Sequence, residues 1–348
     1  MTPYYLAYIW NFIFLIIFAG NRSKRYIILI MIAPLVVLAN LRGLVGIDTA
    51  FYLSIFSIMQ AGDEVKFFFE PLFSILVYYA LQLFSDPHTV LLVISSITSL
   101  LIIGSAFKLE RVPILFATLI VPYFYLEYTM NAARFGLAVG VSAWAIYFLS
   151  RDKTLWFIIF AVISSQIHYA SIMLTAGSWL LLHARVRTIV YVSTLSIVSY
   201  LAAAEYFSEK IAAYSDIQID SASAGVAPLI VGIIAILALA SNKEFRKNQT
   251  PQIITITILT ISFFAVTQFS YAGLRLQLNI IPLIYFYAAA KAKRSKIPLG
   301  VKTIWILLLI AVISSIFRIR NYSAPPSIDI LSPYAPYHFF WEAENYAI

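Results

Sequence analysis

His88-Thr-Val-Leu-Leu-Val-Ile-Ser-Ser-Ile-Thr-Ser-Leu-Leu-Ile-Ile-Gly-Ser-Ala-Phe107 decides the fold, because its twenty residues include no Asp, Glu, Lys or Arg. As a helix rising 1.5 Å per residue it covers roughly 30 Å, the thickness of bilayer hydrocarbon. Similar runs recur on both sides of it, at about 3–20, 26–41, 67–85, 113–130, 132–150, 154–183, 188–206, 225–241, 251–270, 272–290 and 302–318. The sequence therefore predicts an all-α, polytopic transmembrane protein with roughly eleven to thirteen membrane segments. Composition agrees, with 61% hydrophobic and only 11% charged residues and a mean hydropathy of +0.87, an unworkable balance for a water-soluble surface. No cysteine is present, which excludes disulfide and thiolate chemistry. The first apolar run has no basic stretch before it and no small-residue cleavage site after it, and reads as a retained helix.

The net charge of +8 is mostly topology, since 14 of the 24 Lys and Arg fall in five short clusters between apolar runs. These are Arg22/Lys24/Arg25, Arg151/Lys153, Arg185/Arg187, Lys243/Arg246/Lys247 and Lys291/Lys293/Arg294/Lys296, all expected on the cytoplasmic side. Two acidic loops are expected outside: Gly43 to Lys66, holding Asp48, Asp63 and Glu64, and Phe207 to Gly225, holding Glu209, Asp216 and Asp220. The domain reading is one transmembrane domain over 1–318 and an external tail over 319–348, where Pro325, Pro326, Pro333 and Pro336 stand among aromatics.

Thr154 to His183 lies between two basic clusters assigned to one side, so it must cross an even number of times. Two short helices meeting in a polar dent near Gln166 and His168 satisfy this. Counting crossings from Arg25 nevertheless places Arg151 and Lys153 on the wrong side unless one earlier segment fails to cross. The segment 113–130, interrupted by Pro113 and Pro122 and followed by Glu127, is the preferred exception, as a re-entrant segment returning to the outer face at Asn131. A misplaced Lys108/Arg111 loop is the rival.

Ionisable groups that topology leaves unexplained are Arg42, Asp48, Glu70, Glu127, Arg134, His168 and Arg275. A charge at a helix centre costs about 2.5–3.5 kcal/mol on insertion scales, so such groups ordinarily face a cavity or a partner. Arg42 opens Arg42-Gly-Leu-Val-Gly46-Ile-Asp48-Thr49-Ala-Phe-Tyr52, whose two glycines permit a tight turn and an anion-binding nest. A plain Arg42–Asp48 pair is the alternative. Glu70-Pro71 fits a helix start equally well as a cap. Arg134, in Asn131-Ala-Ala-Arg134-Phe-Gly-Leu-Ala138, is expected in a cavity or else snorkelling. His168 sits in the forced turn and is a candidate base, against ordinary hydrogen bonding. Arg275, with Gln277 and Asn279 close by, is a candidate phosphate ligand, and a salt bridge to Glu70 or Glu127 is its structural alternative. No Walker loop, His/Cys metal cluster, Gly-x-Ser-x-Gly elbow or Asp-x-Asp pair is present, so neither a metal nor another cofactor is indicated.

In order, Arg42-x3-Gly46-x-Asp48-Thr49-x2-Tyr52, Glu70-Pro71, Asn131-x2-Arg134-x3-Ala138, His168-Tyr-Ala-Ser171 and Arg275 resemble the EpsG-type, Wzy-like polysaccharide polymerases of bacteria, over about residues 4 to 290. Phe135 stands where that family often has Gln, and Ala-Ser stands where its His motif has Ser-Ala. The resemblance implies a C-type glycosyltransferase-like architecture in the bacterial inner membrane. It also implies an active site facing outward that joins oligosaccharide units carried on undecaprenyl diphosphate to a growing glycan chain. His168, Asp48, Arg134 and Arg275 would be catalytic, and Arg42, Tyr52, Glu70 and Asn131 would bind substrate. A chain-length regulator and a flippase are further expected partners; nucleic acid is not. A flippase or other transporter of lipid-linked oligosaccharide, and a membrane acyltransferase, are the rival functions.

Overall fold

A computed structural model describes residues 1–20, 26–61, 69–110, 113–183, 225–268, 271–295, 300–323, 334 and 337–345. The expected span 188–206, the acidic loop after Phe207, and the clusters at Arg22 and Arg185 lie outside the described residues. The described chain is helical, and the protein is an all-α polytopic membrane protein. Four of its helices are long and apolar enough to cross a bilayer: Thr2–Ala19, Pro87–Leu109, Lys243–Thr267 and Val301–Tyr322. The chain divides into two compact units, Met1–Thr175 with Ala311–Ile348, and Ala176–Ile310.

The first unit contains α1 (Thr2–Gly20), α2 (Ile27–Asn40), α3 (Thr49–Ala61), α4 (Pro71–Phe84) and α5 (Pro87–Leu109). It continues with α6 (Val121–Leu126), flanked by π-helical turns at Phe116–Ile120 and Glu127–Asn131, then α7 (Ala133–Leu149), α8 (Thr154–Ile167) and the start of α9 (Ser171–His183). Local chemistry sets several of these boundaries. Asp86 caps α5 by accepting from the Thr89 and His88 amides at 2.8 and 3.2 Å, with Pro87 at the first helical position. Glu110 then caps the next helix, accepting from the Leu115 and Phe116 amides at 2.9 Å each. Pro34 inside α2 lacks the amide that would bond the Ile30 carbonyl, and Trp10 of α1 donates to that carbonyl instead at 2.8 Å.

Packing fixes helix directions. Tyr125 donates to Ser99 at 2.9 Å and Ser95 to the Thr129 carbonyl, so the helix through α6 runs antiparallel to α5. Trp144 donates to the Leu101 carbonyl at 3.2 Å, and a Cβ on Gly140 would meet Leu101 at 3.0 Å. Close approach at Gly140 of α7, with Gly104 of α5 placed so that a Cβ there would meet Trp144 at 3.4 Å, lets α7 lie along α5. Outward faces stay apolar, as at Leu155, Trp156, Ile158 and Val162 of α8, which suits contact with lipid.

Two expectations need correction. Helical structure continues from Ile114 to Asn131, so 113–130 does not double back; π turns, which absorb an extra residue per turn, accommodate Pro122. The segment that fails to traverse is instead α4. It starts beside Arg134 and His168, and its capping residue Ser85 leads within three residues to His88, which packs on Phe340 of the tail. Both ends of α4 therefore lie at the end of the unit where α2 finishes at Arg42. Counted this way, Arg151 and Lys153 fall at the same end as the start of α2, and the parity conflict disappears. The second correction concerns Gly43 to Lys66, which is not simply a loop: α3 occupies Thr49–Ala61, and Gln60 near its end donates to the Ser85 carbonyl at 2.8 Å. By contrast, the expected division of Thr154–His183 is present, with α8 ending at Ile167 and α9 starting at Ser171.

The second unit contains the rest of α9, α10 (Val226–Ser241), α11 (Lys243–Thr267), α12 (Tyr271–Leu278), α13 (Ile280–Ser295) and the first part of α14 (Val301–Ser323). Buried Gln277 ties it together, donating to the Gly225 carbonyl at 2.8 Å and accepting from Thr267 at 3.2 Å.

Candidate functional site

Three segments distant in sequence meet on one carboxylate. Glu70, immediately before α4, accepts from Arg134 Nη1 through Oε2 and contacts His168 Nδ1 through Oε1, both at 2.7 Å. The Tyr169 amide reaches the same Oε1 at 3.4 Å. The Glu70 side chain is only 8% exposed, while Arg134 is 27% and His168 19% exposed. The shared carboxylate is thus nearly dry, and its two partners, a guanidinium and an imidazole, are reachable from outside. Arg134 lies 5.0 Å from the centre of the Phe69 ring, a cation–π placement that limits its rotamers. Burial pushes the Glu70 carboxyl up, and the His168 hydrogen bond and Arg134 guanidinium outweigh it, holding the group below its ordinary value.

Each backbone position follows from local structure. Arg134 starts α7, where the chain leaves a π turn. A Cβ on Gly136 would overlap the Tyr128 carbonyl, so only glycine lets the first turn of α7 fold against that π turn. His168 ends α8 in extended backbone, its amide still bonded to the Ser164 carbonyl at 3.0 Å. Phe135 meets the imidazole edge-on, with ring centres 5.3 Å apart. The residue next to Arg134 therefore gives the histidine apolar support.

Tyr52 is buried and its hydroxyl accepts from the Arg134 amide at 3.3 Å, with Asp48 and Glu70 among its charged neighbours. Asp48 is half-buried, and its carbonyl accepts from the Tyr52 amide at 2.9 Å in the first turn of α3. Glu70, Arg134, His168, Tyr52 and Asp48 thus belong to one neighbourhood. Arg42 and Asn131 sit beneath it. Arg42 is fully buried, and its Nη1 donates to the Ala39 carbonyl, Ser95 Oγ and the Thr129 carbonyl at 2.6, 2.8 and 2.9 Å. Asn131 donates to Glu127 at 3.0 Å and Tyr334 at 2.5 Å, and accepts from the Ile47 amide at 3.2 Å. It braces the turn at Gly46, whose φ of +112° favours glycine. Arg275 belongs to the second unit, in α12, where Asn279 donates to its carbonyl at 2.8 Å.

Sequence reasoning missed Arg318 and the folded-back tail. Arg318 pairs with Glu127 at 3.1 Å and donates through Nε to the Tyr123 carbonyl at 2.6 Å. That carbonyl is available because the Glu127 amide bonds Phe124 instead, a consequence of the π turn. The signal was present as an arginine closing an apolar run opposite an already noted intramembrane Glu127. The tail returns to α2, where the Gly43 amide donates to the His338 carbonyl at 2.7 Å and the Phe340 amide to the Leu41 carbonyl at 3.0 Å. Tyr337 adds a bond to the Leu38 carbonyl at 2.9 Å.

Chemically, Arg134 has N–H groups beyond the one spent on Glu70. Because Glu70 is held as the carboxylate, it can only accept, so a neutral His168 carries its proton on Nδ1 and leaves the Nε2 lone pair available. The arrangement offers a guanidinium for an anionic group beside an oriented base. No curated protein and no solved structure matches the chain. The family model described as "EpsG family" matches residues 25–339. With nearly its whole length covered, the chain belongs to the EpsG family of Wzy-like polysaccharide polymerases.

Proposed function

We propose that the chain transfers oligosaccharide units from a lipid diphosphate carrier, in bacteria undecaprenyl diphosphate, to a growing glycan at the outer face of the cytoplasmic membrane. The observation that carries this reading is the Glu70-centred cluster, which joins a phosphate-binding side chain to an oriented imidazole. In the reaction, the bond from the anomeric carbon to the diphosphate breaks with its electron pair going to the diphosphate. A bond from an acceptor hydroxyl oxygen to that carbon forms. The hydroxyl proton passes to His168 Nε2, with Asp48 as the other candidate base. Arg134 meets the charge that grows on the departing diphosphate, stabilisation by a dipole and charge already in place. Arg42, Tyr52 and Asn131 shape the floor of this cluster, and Arg275, on the second unit, is proposed separately as a phosphate ligand. The outward orientation draws support from the opposite end of the first unit, which carries Lys108, Arg151 and Lys153.

The test is a deletion strain complemented with Arg134→Ala or Arg275→Ala. Each variant, present at normal level, is expected to display single-unit glycan at the surface and no polymer. Normal chain lengths from both variants reject the site. Accumulation of single units inside the cell indicates a flippase, and loss of an acyl decoration with polymer intact indicates an acyltransferase.

A further inference from the structure

The folded-back tail does more than close the end of α2. Its backbone pairs antiparallel with Arg42 through Phe339, and a Cβ on Gly43 would meet the Phe339 carbonyl at 2.9 Å, so the two segments touch main chain to main chain. Beyond this anchor the Phe339 and Trp341 rings stack with centres 4.6 Å apart and planes at 4°, and Phe340 packs edge-on to Trp341 at 4.9 Å. Trp341 is nevertheless 55% exposed and Phe340 40%. A ring already stacked on one side and open over more than half its surface is a rigid platform. It has been fixed at no cost to an incoming ligand.

The surroundings say which ligand suits it. Glu342 accepts from the Phe339 amide at 2.9 Å and lies 3.7 Å from His338, so a half-exposed carboxylate and an imidazole belong to the same short segment as the indole. Lipid chains find no use for such a carboxylate. A pyranose presents an apolar C–H face to the ring and hydroxyls to the carboxylate and imidazole of that segment, so it satisfies both. The platform stands at the same end of the first unit as Arg42 and Glu70. It stands in a chain whose family makes polysaccharide. We propose that Trp341, braced by Phe339 and flanked by Glu342, is a glycan-binding subsite that stacks on a pyranose of the growing chain outside the reacting centre. This rests on the polymerase reading only for the identity of the ligand.

The probe is a set of oligosaccharides cut from the parent strain's own polysaccharide, titrated onto full-length protein in lipid nanodiscs. Trp341→Ala is expected to weaken binding about five- to tenfold and to shift cellular polymer towards shorter chains. Trp341→Phe, which keeps a stacking face, should restore most of both. Unchanged affinity and chain length in Trp341→Ala overturn the proposal. So does brominated-lipid quenching of the emission that Trp341→Phe removes from the six-tryptophan protein, if oligosaccharide fails to relieve it, which would make the ring a membrane anchor. The two readings fail separately: a dead Arg134→Ala beside a normal Trp341→Ala removes the platform alone, whereas oligosaccharide binding without lipid diphosphate turnover removes the donor chemistry alone.

Discussion

Replacing Glu70 by Gln tests the cluster most directly, because the change removes a charge and almost no volume. The wild-type carboxylate accepts from Arg134 and His168 at 2.7 Å each. A carboxamide gives its one acceptor oxygen to Arg134 and turns its NH2 towards His168, so a charge-assisted bond is lost and the imidazole must present Nδ1 as an acceptor. For partners that are 27% and 19% exposed, water softens the loss, and stability should fall by about 2 kcal/mol. Activity should fall much further. An amide hydrogen facing the ring favours the tautomer with Nδ1 as acceptor, which puts the proton on Nε2 and removes the lone pair from the reacting side. Losing a positioned base costs about two to four orders of magnitude in turnover. The assay is glycan ladder formation by purified protein given a lipid diphosphate oligosaccharide, alongside thermal unfolding of the same sample. A folded Glu70→Gln protein that polymerises at more than about half the wild-type rate would refute the orienting role.

Acid should undo the same cluster. The Glu70 carboxyl is held below its ordinary value of 4.5, so its contribution to stability is complete above that value and is lost as pH falls through the lowered one; melting temperatures followed from neutral to acid pH should show a decline that Glu70→Gln lacks. Gly136→Ala should destabilise the first unit by at least about 2 kcal/mol, since the new Cβ overlaps the Tyr128 carbonyl, whereas Gly104→Ala meets only Trp144 at 3.4 Å and should be nearly neutral. Equal melting temperatures for the two variants would contradict the close approach of α7 to its π turn.

The membrane solvent and helical class were legible because lipid imposes a length and composition that few other environments tolerate. The break at His168 was also legible, since thirty residues between two basic clusters leave room for two short helices only. The role of α4 was hidden: an apolar run reports what a segment avoids, and where its two ends lie depends on Arg134, His168 and the tail. Pro113 and Pro122 drew the parity argument to the wrong segment, because π turns absorb a proline that an α-helix would register as a break. Helix α3 escaped notice for want of length, at 13 residues between acidic neighbours. Among the site residues, the residue types of Glu70, Arg134 and His168 were readable. Their meeting was not, because nothing in local sequence couples positions 64 and 98 residues apart.

That separation has a consequence for how the protein is made. At synthesis rates of about 5–20 residues per second, Glu70 leaves the ribosome roughly 5–20 s before His168. An unpartnered carboxylate stranded in hydrocarbon for so long would invite rejection by the insertion machinery. Placing it just ahead of a helix that rests at the rim lets the nascent chain keep that oxygen pair hydrated until α7 and α8 arrive to claim it.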